Sequence, residues 1–310
     1  MDILITGGAG FIGTHLTNKL LQLNHKITIL DNLLPQVHGE NKKYNNKSVN
    51  FIKGDVRNKK DWNKAFENNV DVVIHLAAET GTYQSMQEIE KCVSTNINGT
   101  ALLVEYLKNN KTNVKKVILT SSRAVYGESP NASESLTPNP KSIYALTKQT
   151  QEQILLISLK DIPLTILRLQ NVYGPEQSLN NPYTGIVSIF TKKFLQNINV
   201  EIFDNGKAIR DFIYIDDVVD AILISIEERK TNHKIYNVGS AKKTSVLEVA
   251  KEIKNNIKNS ESKIIITNFH REGDVMSAYA NIDKIKKELK WEPKVNLKTG
   301  IKHFVEWSKV

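Results

Sequence analysis

Short apolar runs rich in β-branched residues alternate with longer segments of helical periodicity through residues 1–170. Continuous apolar strands separated by helices are typical of a parallel sheet that is covered on both faces. We therefore predict an α/β fold with a Rossmann-type doubly wound parallel sheet. The predicted strands are residues 2–6, 26–30, 49–53, 71–76, 116–120 and 164–169, and the predicted helices are residues 11–23, 59–68, 94–108 and 143–159.

The alternation breaks down after residue 169, where Gly174, Pro175 and Pro182 interrupt it. We predict that residues 1–170 form the Rossmann domain, rejoined by about residues 211–240. Residues 171–310 are predicted to form a smaller α/β substrate-binding lobe built from interrupted segments. The elements predicted after residue 169 are a helix near residues 185–196, a strand–helix–strand unit at residues 212–238, and helices at residues 246–257, 283–289 and 297–307.

Composition excludes several classes of protein. Hydrophobic residues make up 40% of the 310 and charged residues 24%, which is ordinary for a globular protein. No apolar run approaches the roughly 20 residues that span a bilayer, and the N-terminus lacks the basic and apolar regions of a secretory signal. We therefore predict a cytoplasmic protein with no membrane partner.

The net charge of +9 raises the question of nucleic acid, but the lysines are spread along the whole chain. A nucleic-acid surface needs its cations gathered on one face, so we predict no nucleic-acid partner. The single cysteine, Cys92, excludes a disulfide framework. The seven histidines form no cluster with metal-ligand spacing, so no metal is predicted, and His75 is expected to pack or to bond the backbone.

A glycine-rich segment connects the first predicted strand directly to the first predicted helix. From Gly8 onward its spacing is G-x-G-x-x-G, which allows a tight turn and brings backbone N–H groups close to a pyrophosphate. The helix N-terminus adds unpaired donors and the positive end of the helix dipole. We predict a dinucleotide site that includes Gly7, Gly10, Phe11, Ile12 and Gly13.

An acidic residue, Asp31, lies at the end of the second predicted strand. About 20 residues beyond the glycines, a carboxylate can accept hydrogen bonds from the adenosine ribose hydroxyls. No arginine follows it, and a carboxylate would repel a 2′-phosphate. We therefore predict that Asp31 and Asn32 bind the cofactor and that the cofactor is NAD, not NADP.

Tyr144 and Lys148 are four residues apart on a predicted helix, so their side chains share one face. The lysine cation is expected to lower the pKa of the Tyr144 phenol from about 10 toward neutrality. A phenolate can take a proton from a substrate hydroxyl while NAD accepts hydride from the same carbon. Ser122, at the end of the fifth predicted strand, is expected to bond the same oxygen. We predict that these three residues are catalytic, and that Tyr144 and Lys148 also contact the cofactor.

Nearly the whole chain resembles the extended short-chain dehydrogenase/reductases, and among them the NAD-dependent nucleotide-sugar epimerases and dehydratases. The resemblance rests on motifs distributed over the sequence. They are the glycine loop, Asp55-Val56-Arg57, His75-Leu76-Ala77-Ala78, Asn96, Ser122 with Val125-Tyr126-Gly127, Tyr144 with Lys148, residues 168–175, Arg210-Asp211-Phe212 with Asp216-Asp217, and Arg271-Glu272-Gly273-Asp274.

The resemblance implies further site residues. Asp55 and Val56 would hold the adenine, and Leu76, Ala77, Ala78 and Asn96 would lie along the cofactor. On the substrate side, Asn171, Arg210 and Arg271 would contact the diphosphate, as suits guanidinium groups and phosphate oxygens. Asp274 would bind the nucleotide ribose or support Arg271. Glu79 and Thr80 would meet sugar hydroxyls or cap the following helix. Relatives usually pair, so a homodimer is implied.

Departures from the family's patterns narrow the reaction. The dehydratases carry an Asp-Glu pair after the catalytic Ser or Thr, and the decarboxylases also place a Glu there, whereas this chain has Arg123 and Ala124. The resemblance therefore implies an NAD-dependent nucleotide-sugar 4-epimerase. Residues 30–39, 77–86, 121–128 and 168–185 resemble the epimerases assigned to dTDP-L-rhamnose, a 6-deoxyhexose. The alternatives are a UDP-sugar 4-epimerase, a nucleotide-4-keto-sugar reductase, and a non-catalytic NAD-binding sensor or RNA-associated protein.

Overall fold

The structure is a computed structural model and describes residues 1–40 and 43–309. Its strands are β1 (Asp2–Thr6), β2 (Lys26–Asp31), β3 (Asn50–Lys53), β4 (Val72–His75), β5 (Lys116–Ser122), β6 (Ser129–Ala132), β7 (Leu164–Leu169), β8 (Asn171–Tyr173), β9 (Val200–Ile202), β10 (Ile209–Arg210), β11 (Phe212–Tyr214), β12 (Lys234–Val238), β13 (Thr244–Ser245), β14 (Ile264–Ile266) and β15 (Ser277–Ala280). Its α-helices are α1 (Phe11–Gln22), α2 (Pro35–His38), α3 (Lys59–Ala65), α4 (Thr82–Gln87), α5 (Ile89–Val93), α6 (Gly99–Asn109), α7 (Ile143–Ser158), α8 (Ile186–Leu195), α9 (Ile215–Glu227), α10 (Val246–Asn256), α11 (Asp283–Leu289) and α12 (Leu297–Trp307).

A seven-stranded parallel sheet forms the centre of the described structure, in the order β12-β7-β5-β4-β1-β2-β3. The chain runs outward from β1 through β2 to β3 and then crosses to β4 on the other side of β1. Ligands of such sheets bind beyond the carboxyl ends of the strands, where the order reverses. The predicted Rossmann-type sheet is confirmed, and its switch point lies between β1 and β4.

Successive residues of the strands enter two different hydrophobic clusters, because side chains alternate across a sheet. In β1, Ile3 and Ile5 join the cluster that includes α1 and α9, whereas Leu4 joins the cluster that includes α3, α6 and α7. The first cluster continues without a break into α8, α10 and α12. The C-terminal segments therefore pack on one face of the central sheet, and the predicted division at residue 170 stays a prediction.

Several elements differ from those predicted. The segment predicted as one helix at residues 94–108 is a π-helical turn (Ser94–Asn98) followed by α6, and α5 precedes it directly. Seven short strands are not predicted by the sequence pattern, because two to four residues carry too little periodicity to be recognised. They are β6, β8, β9, β10, β13, β14 and β15. None of the described helices is long and apolar enough to cross a membrane.

Candidate active site

A cavity of about 850 Å³ opens at the carboxyl ends of β1, β2, β4, β5 and β7. It brings together most of the residues that the sequence predicted for the site. Those lining it are Gly7, Gly10, Phe11, Ile12, Gly13, Asp31, Asn32, Val56, Leu76, Ala77, Ala78, Glu79, Thr80, Ser122, Tyr144, Lys148, Asn171, Arg210, Arg271 and Asp274. Asp55 and Asn96 are not among the lining residues, and the role of every residue named here stays a prediction.

The glycine loop is shaped by contacts that a side chain would block. Gly7 has a φ of +69°, and a Cβ there would lie 2.8 Å from the Ala77 backbone. A Cβ on Gly13 would lie 2.5 Å from the backbone of Gly8. These contacts bring α1 close to the loop, with its N-terminus toward the cavity, as dinucleotide binding requires. The glycine loop and the N-terminus of α1 together fit the cofactor NAD.

Asp31 lies buried at the end of β2 and is held by the loop and its own turn. Its carboxylate accepts hydrogen bonds from the backbone N–H of Ala9 at 3.0 Å and of Leu33 at 2.8 Å. Burial raises the pKa of this carboxyl, and both hydrogen bonds together with His38 oppose that rise. The acidic group predicted to meet a ribose therefore lines the cavity in a fixed position.

Asp55 and Asn96 do not line the cavity and instead bond neighbouring residues. Asp55 binds the Arg57 guanidinium through both carboxylate oxygens, at 3.0 and 2.7 Å. Asn96 is fully buried, accepts from the backbone N–H of Glu79 at 2.8 Å, and donates to the Glu79 carbonyl and to Thr147. Asn96 thus fixes the segment after β4 that does line the cavity.

The three predicted catalytic residues meet at the mouth of β5. Ser122 ends the strand, and Tyr144 and Lys148 lie on α7, whose N-cap is Ser142. Ser122 lies close enough to the Tyr144 phenol to favour its charged form. The Lys148 ammonium is buried and donates to the Thr120 carbonyl at 3.0 Å. A hydroxyl, a phenol and an ammonium therefore face one volume, as proton transfer to or from a substrate hydroxyl requires.

The prediction of a lowered pKa for the Tyr144 phenol is wrong for the protein without bound ligands. Burial raises the pKa of Tyr144 above 10, and the opposing effects come from Ser122 and from Arg123. Lys148 is held at the strand carbonyl, and burial lowers its own pKa to about 8. Sequence spacing showed that the two side chains share a face, but the cost of desolvation depends on the whole surrounding structure.

Arginines gather at the other end of the cavity. Arg271 forms a bidentate ion pair with Asp274, with N–O distances of 3.0 and 3.2 Å. Of the two alternatives for Asp274, support of Arg271 is the one with a contact in this structure. Arg210 is buried and donates to the Ile209 carbonyl at 2.8 Å. Asn171 donates to the Asp211 carbonyl at 2.8 Å.

Glu79 and Thr80 do not cap the helix that follows them. The N-cap of α4 is Gly81, and no side chain bonds there, so that alternative is wrong. The Glu79 carboxylate lies 3.4 Å from the Lys91 ammonium, and burial raises its pKa. Both residues line the cavity, which leaves their predicted contact with sugar hydroxyls as the remaining alternative.

His75 is buried, as expected, but its partners are hydroxyls and not the backbone. Its ring nitrogens lie 2.7 Å from the Thr6 hydroxyl and 3.0 Å from that of Thr100. Burial lowers the pKa of His75 to about 3, so the ring is neutral at physiological pH. The Thr6 hydroxyl also accepts from the backbone N–H of Ala77, which ties the ring to the cavity wall.

The sequence pattern alone did not single out several lining residues. The sequence indicates for Arg123 only that it cannot replace the acidic residue of the dehydratases and decarboxylases. In the structure Arg123 lines the cavity beside Ser122. The loop between β8 and α8 also contributes polar and aromatic side chains, and the resemblance of residues 168–185 was the only signal for it. These loop residues are Gln177, Ser178, Asn181, Tyr183 and Thr184.

Comparison with known proteins gives the class. A sequence profile of the NAD dependent epimerase/dehydratase family matches residues 3–239, so the chain belongs to this family. The dTDP-L-rhamnose 4-epimerase of Burkholderia thailandensis is 32% identical over 98% of this chain and 94% of its own length. The predicted family, enzyme class and NAD cofactor are confirmed.

Solved structures agree in fold. The crystal structure of the UDP-glucose 4-epimerase of Thermotoga maritima with UDP-glucose superposes with a TM-score of 0.90 and 33% identity, covering 100% of this chain and 99% of that one. The UDP-glucuronic acid 4-epimerase of Bacillus cereus, in complex with UDP-glucuronic acid and NAD, gives 0.88 and 29% over the same shares. This chain is thus similar to 4-epimerases that differ in their nucleotide sugars.

Proposed function

We propose that this protein inverts C4 of a nucleotide-linked sugar through a transient 4-keto sugar, with dTDP-L-rhamnose or a related 6-deoxyhexose as substrate. The observation that carries the reaction is the meeting of Ser122, Tyr144 and Lys148 in the cavity that also contains the glycine loop. The relative from Burkholderia thailandensis supports the choice of sugar.

The residues of the chain divide the chemistry among them. The Tyr144 phenolate takes the proton of the C4 hydroxyl, with Ser122 bonding the same oxygen and Lys148 supplying positive charge nearby. NAD, when bound on the glycine loop, supplies the hydride acceptor and, in its oxidised form, a positive charge. Arg210 and Arg271 would hold the diphosphate while the keto sugar rotates, and Tyr144 would return the proton to the C4 oxygen.

A UDP-sugar 4-epimerase is the second candidate, supported by the similarity to the Thermotoga maritima enzyme. Elimination and decarboxylation are disfavoured because Arg123 and Ala124 occupy the places of the acidic residues. The predicted homodimer and cytoplasmic location remain proposals that rest on the family resemblance.

The test starts from purified protein without added cofactor. Denaturation should release NAD, and intact protein should form the C4 epimer of dTDP-L-rhamnose, followed by NMR beside UDP-glucose and UDP-glucuronic acid. Turnover of a UDP-sugar alone would replace the rhamnose assignment by the second candidate. A requirement for added NADPH and a 4-keto sugar would indicate a reductase, and bound NAD without any turnover would indicate a sensor.

The Tyr144→Phe variant should lose at least about 100-fold in kcat while retaining NAD, because only the general base is removed. Tyr106→Phe is the matched control, since Tyr106 stacks on Phe66 at the surface of α6, away from the cavity. Activity in Tyr144→Phe equal to that of the control would refute the assignment of Tyr144 as the base.

A further inference from the structure

Arg123 is placed in the cavity by the turn that follows β5. Ser122 ends this strand and is the N-cap of the 3-10 turn Arg123–Tyr126, with its hydroxyl accepting from the backbone N–H of Ala124 at 3.1 Å. The same Ser122 lines the cavity beside Tyr144. The turn therefore fixes the arginine next to the catalytic serine, and Arg123 lines the cavity together with Tyr144.

No described residue forms a hydrogen bond or an ion pair with the Arg123 guanidinium. The two nearest acidic residues are engaged elsewhere. Asp274 holds Arg271, and the Glu128 carboxylate accepts from the backbone N–H groups of Met276 and Ser277. Arg123 is half-buried, and an unpaired guanidinium that lines a cavity points to an anionic ligand.

A second guanidinium of like charge lies near it. Arg210 is buried, and among the described residues its side chain bonds only the carbonyls of Ile209 and Met276. Of the charged groups that act on Arg123, Arg210 has the largest effect. Burial and Arg210 lower the pKa of Arg123 to about 9, which leaves it charged at neutral pH. Both arginines line the cavity, and two guanidinium groups of like charge that face one volume suit the spread charge of a diphosphate.

We infer that Arg123 is a substrate-binding residue that binds the sugar-side phosphate of the substrate diphosphate, together with Arg210. This inference rests on the proposed function, because it assumes a nucleotide-sugar substrate. Its consequence is a phosphate held next to Ser122 and Tyr144, which anchors one end of the sugar at the base while the ring turns. A carboxylate on the sugar would satisfy the same guanidinium and is the outcome that the experiment must separate.

The experiment measures binding, so it does not depend on turnover. The affinities of UDP and dTDP for the NAD-loaded protein are compared by calorimetry for wild type, Arg123→Met and Arg123→Lys. Loss of a charge-assisted hydrogen bond should weaken both diphosphates by about 10- to 100-fold in Arg123→Met. Lysine keeps the charge without the fork and should restore part of the affinity. Arg229→Met is the matched control, since Arg229 is exposed in a turn after α9.

Three results would count against the inference, and a fourth would separate it from the proposed reaction. Unchanged UDP and dTDP affinity in Arg123→Met, with a raised KM for UDP-glucuronic acid only, would assign the arginine to a sugar carboxylate. Unchanged affinity for every ligand would show that Arg123 has no role in binding. A wild-type protein that binds neither diphosphate would overturn this inference and the proposed substrate class together. Binding without C4 epimerisation would overturn the proposed reaction and leave the arginine's role intact.

Discussion

Single side chains in this protein owe their chemistry to burial. His75 and Lys148 are both basic, both almost wholly buried, and both have lowered pKa values, about 3 and about 8. Desolvation disfavours the charged form, and neither side chain has a carboxylate in hydrogen-bond contact to offset it. The imidazole is therefore a neutral structural group, whereas the ammonium stays mostly charged at neutral pH.

His75 gives a pH dependence with a defined sign. Its pKa in the folded protein lies below the unfolded value of 6.5, so the unfolded chain binds the extra proton as pH falls from 6.5 toward 3. Acid should therefore destabilise the wild type through this residue, by about 2 kcal/mol between pH 7.5 and 5.

Urea unfolding at the two pH values gives the stability that wild type and His75→Gln each lose in acid. The difference between these two losses measures the contribution of His75. The glutamine variant should lose less stability in acid than the wild type does. His303→Gln serves as control, since His303 is exposed on α12 and should change nothing. An equal loss in wild type and His75→Gln would contradict a buried neutral imidazole.

At the scale of elements, the site depends on how closely one segment approaches another. The loop after β1, the N-terminus of α1 and the end of β4 meet through backbone atoms, with glycine at each close contact. The π-helical turn Ser94–Asn98 places Asn96 against the segment after β4. Such turns widen a helix locally and are frequent at functional sites.

Replacing Gly13 by alanine should therefore damage this junction. The added Cβ would lie 2.5 Å from the Gly8 backbone, which has no flexible end to move aside. We expect a loss of about 1–3 kcal/mol in the free energy of unfolding and less NAD in the purified protein.

Gly10→Ala is the matched comparison in the same loop, because its Cβ would meet only the Gly7 carbonyl oxygen, at 3.2 Å. It should stay folded and show its effect on NAD affinity. Chemical denaturation and the cofactor content of both variants check the pair. Equal stability of the two would show that the contact at Gly13 relaxes freely.

At the scale of the whole molecule, the residues predicted to bind the cofactor and those predicted to bind the substrate line one cavity. The glycine loop and β2 supply one end, and the segments bearing Arg210 and Arg271, far along the chain, supply the other. One hydrophobic cluster connects the central sheet with α8, α10 and α12, so both ends belong to a continuously packed structure.

Ligand binding should accordingly raise stability in two steps. Each ligand present at 100 times its Kd contributes about 2.7 kcal/mol if it binds only the folded protein. With NAD and UDP in neighbouring parts of the cavity, the contributions should add, so that both together raise Tm above either alone. Thermal melts of NAD-free protein with each ligand and with both measure this. A Tm with both no higher than with one would mean that they compete.

The sequence by itself determined the features that depend on local pattern. Apolar runs and helical periodicity predicted the central strands and α1, α3 and α7. The glycine spacing, Asp31 and the Tyr144–Lys148 interval predicted the cofactor end of the cavity and the candidate catalytic pair, whereas Arg210 and Arg271 came from the family resemblance. The tertiary structure decided what depends on distant segments. It showed that Asn96 holds Glu79, that Arg123 lies near Arg210, and that burial sets the pKa values of Tyr144 and Lys148. Desolvation and charge pairing are properties of the packed chain, and no local spacing contains them.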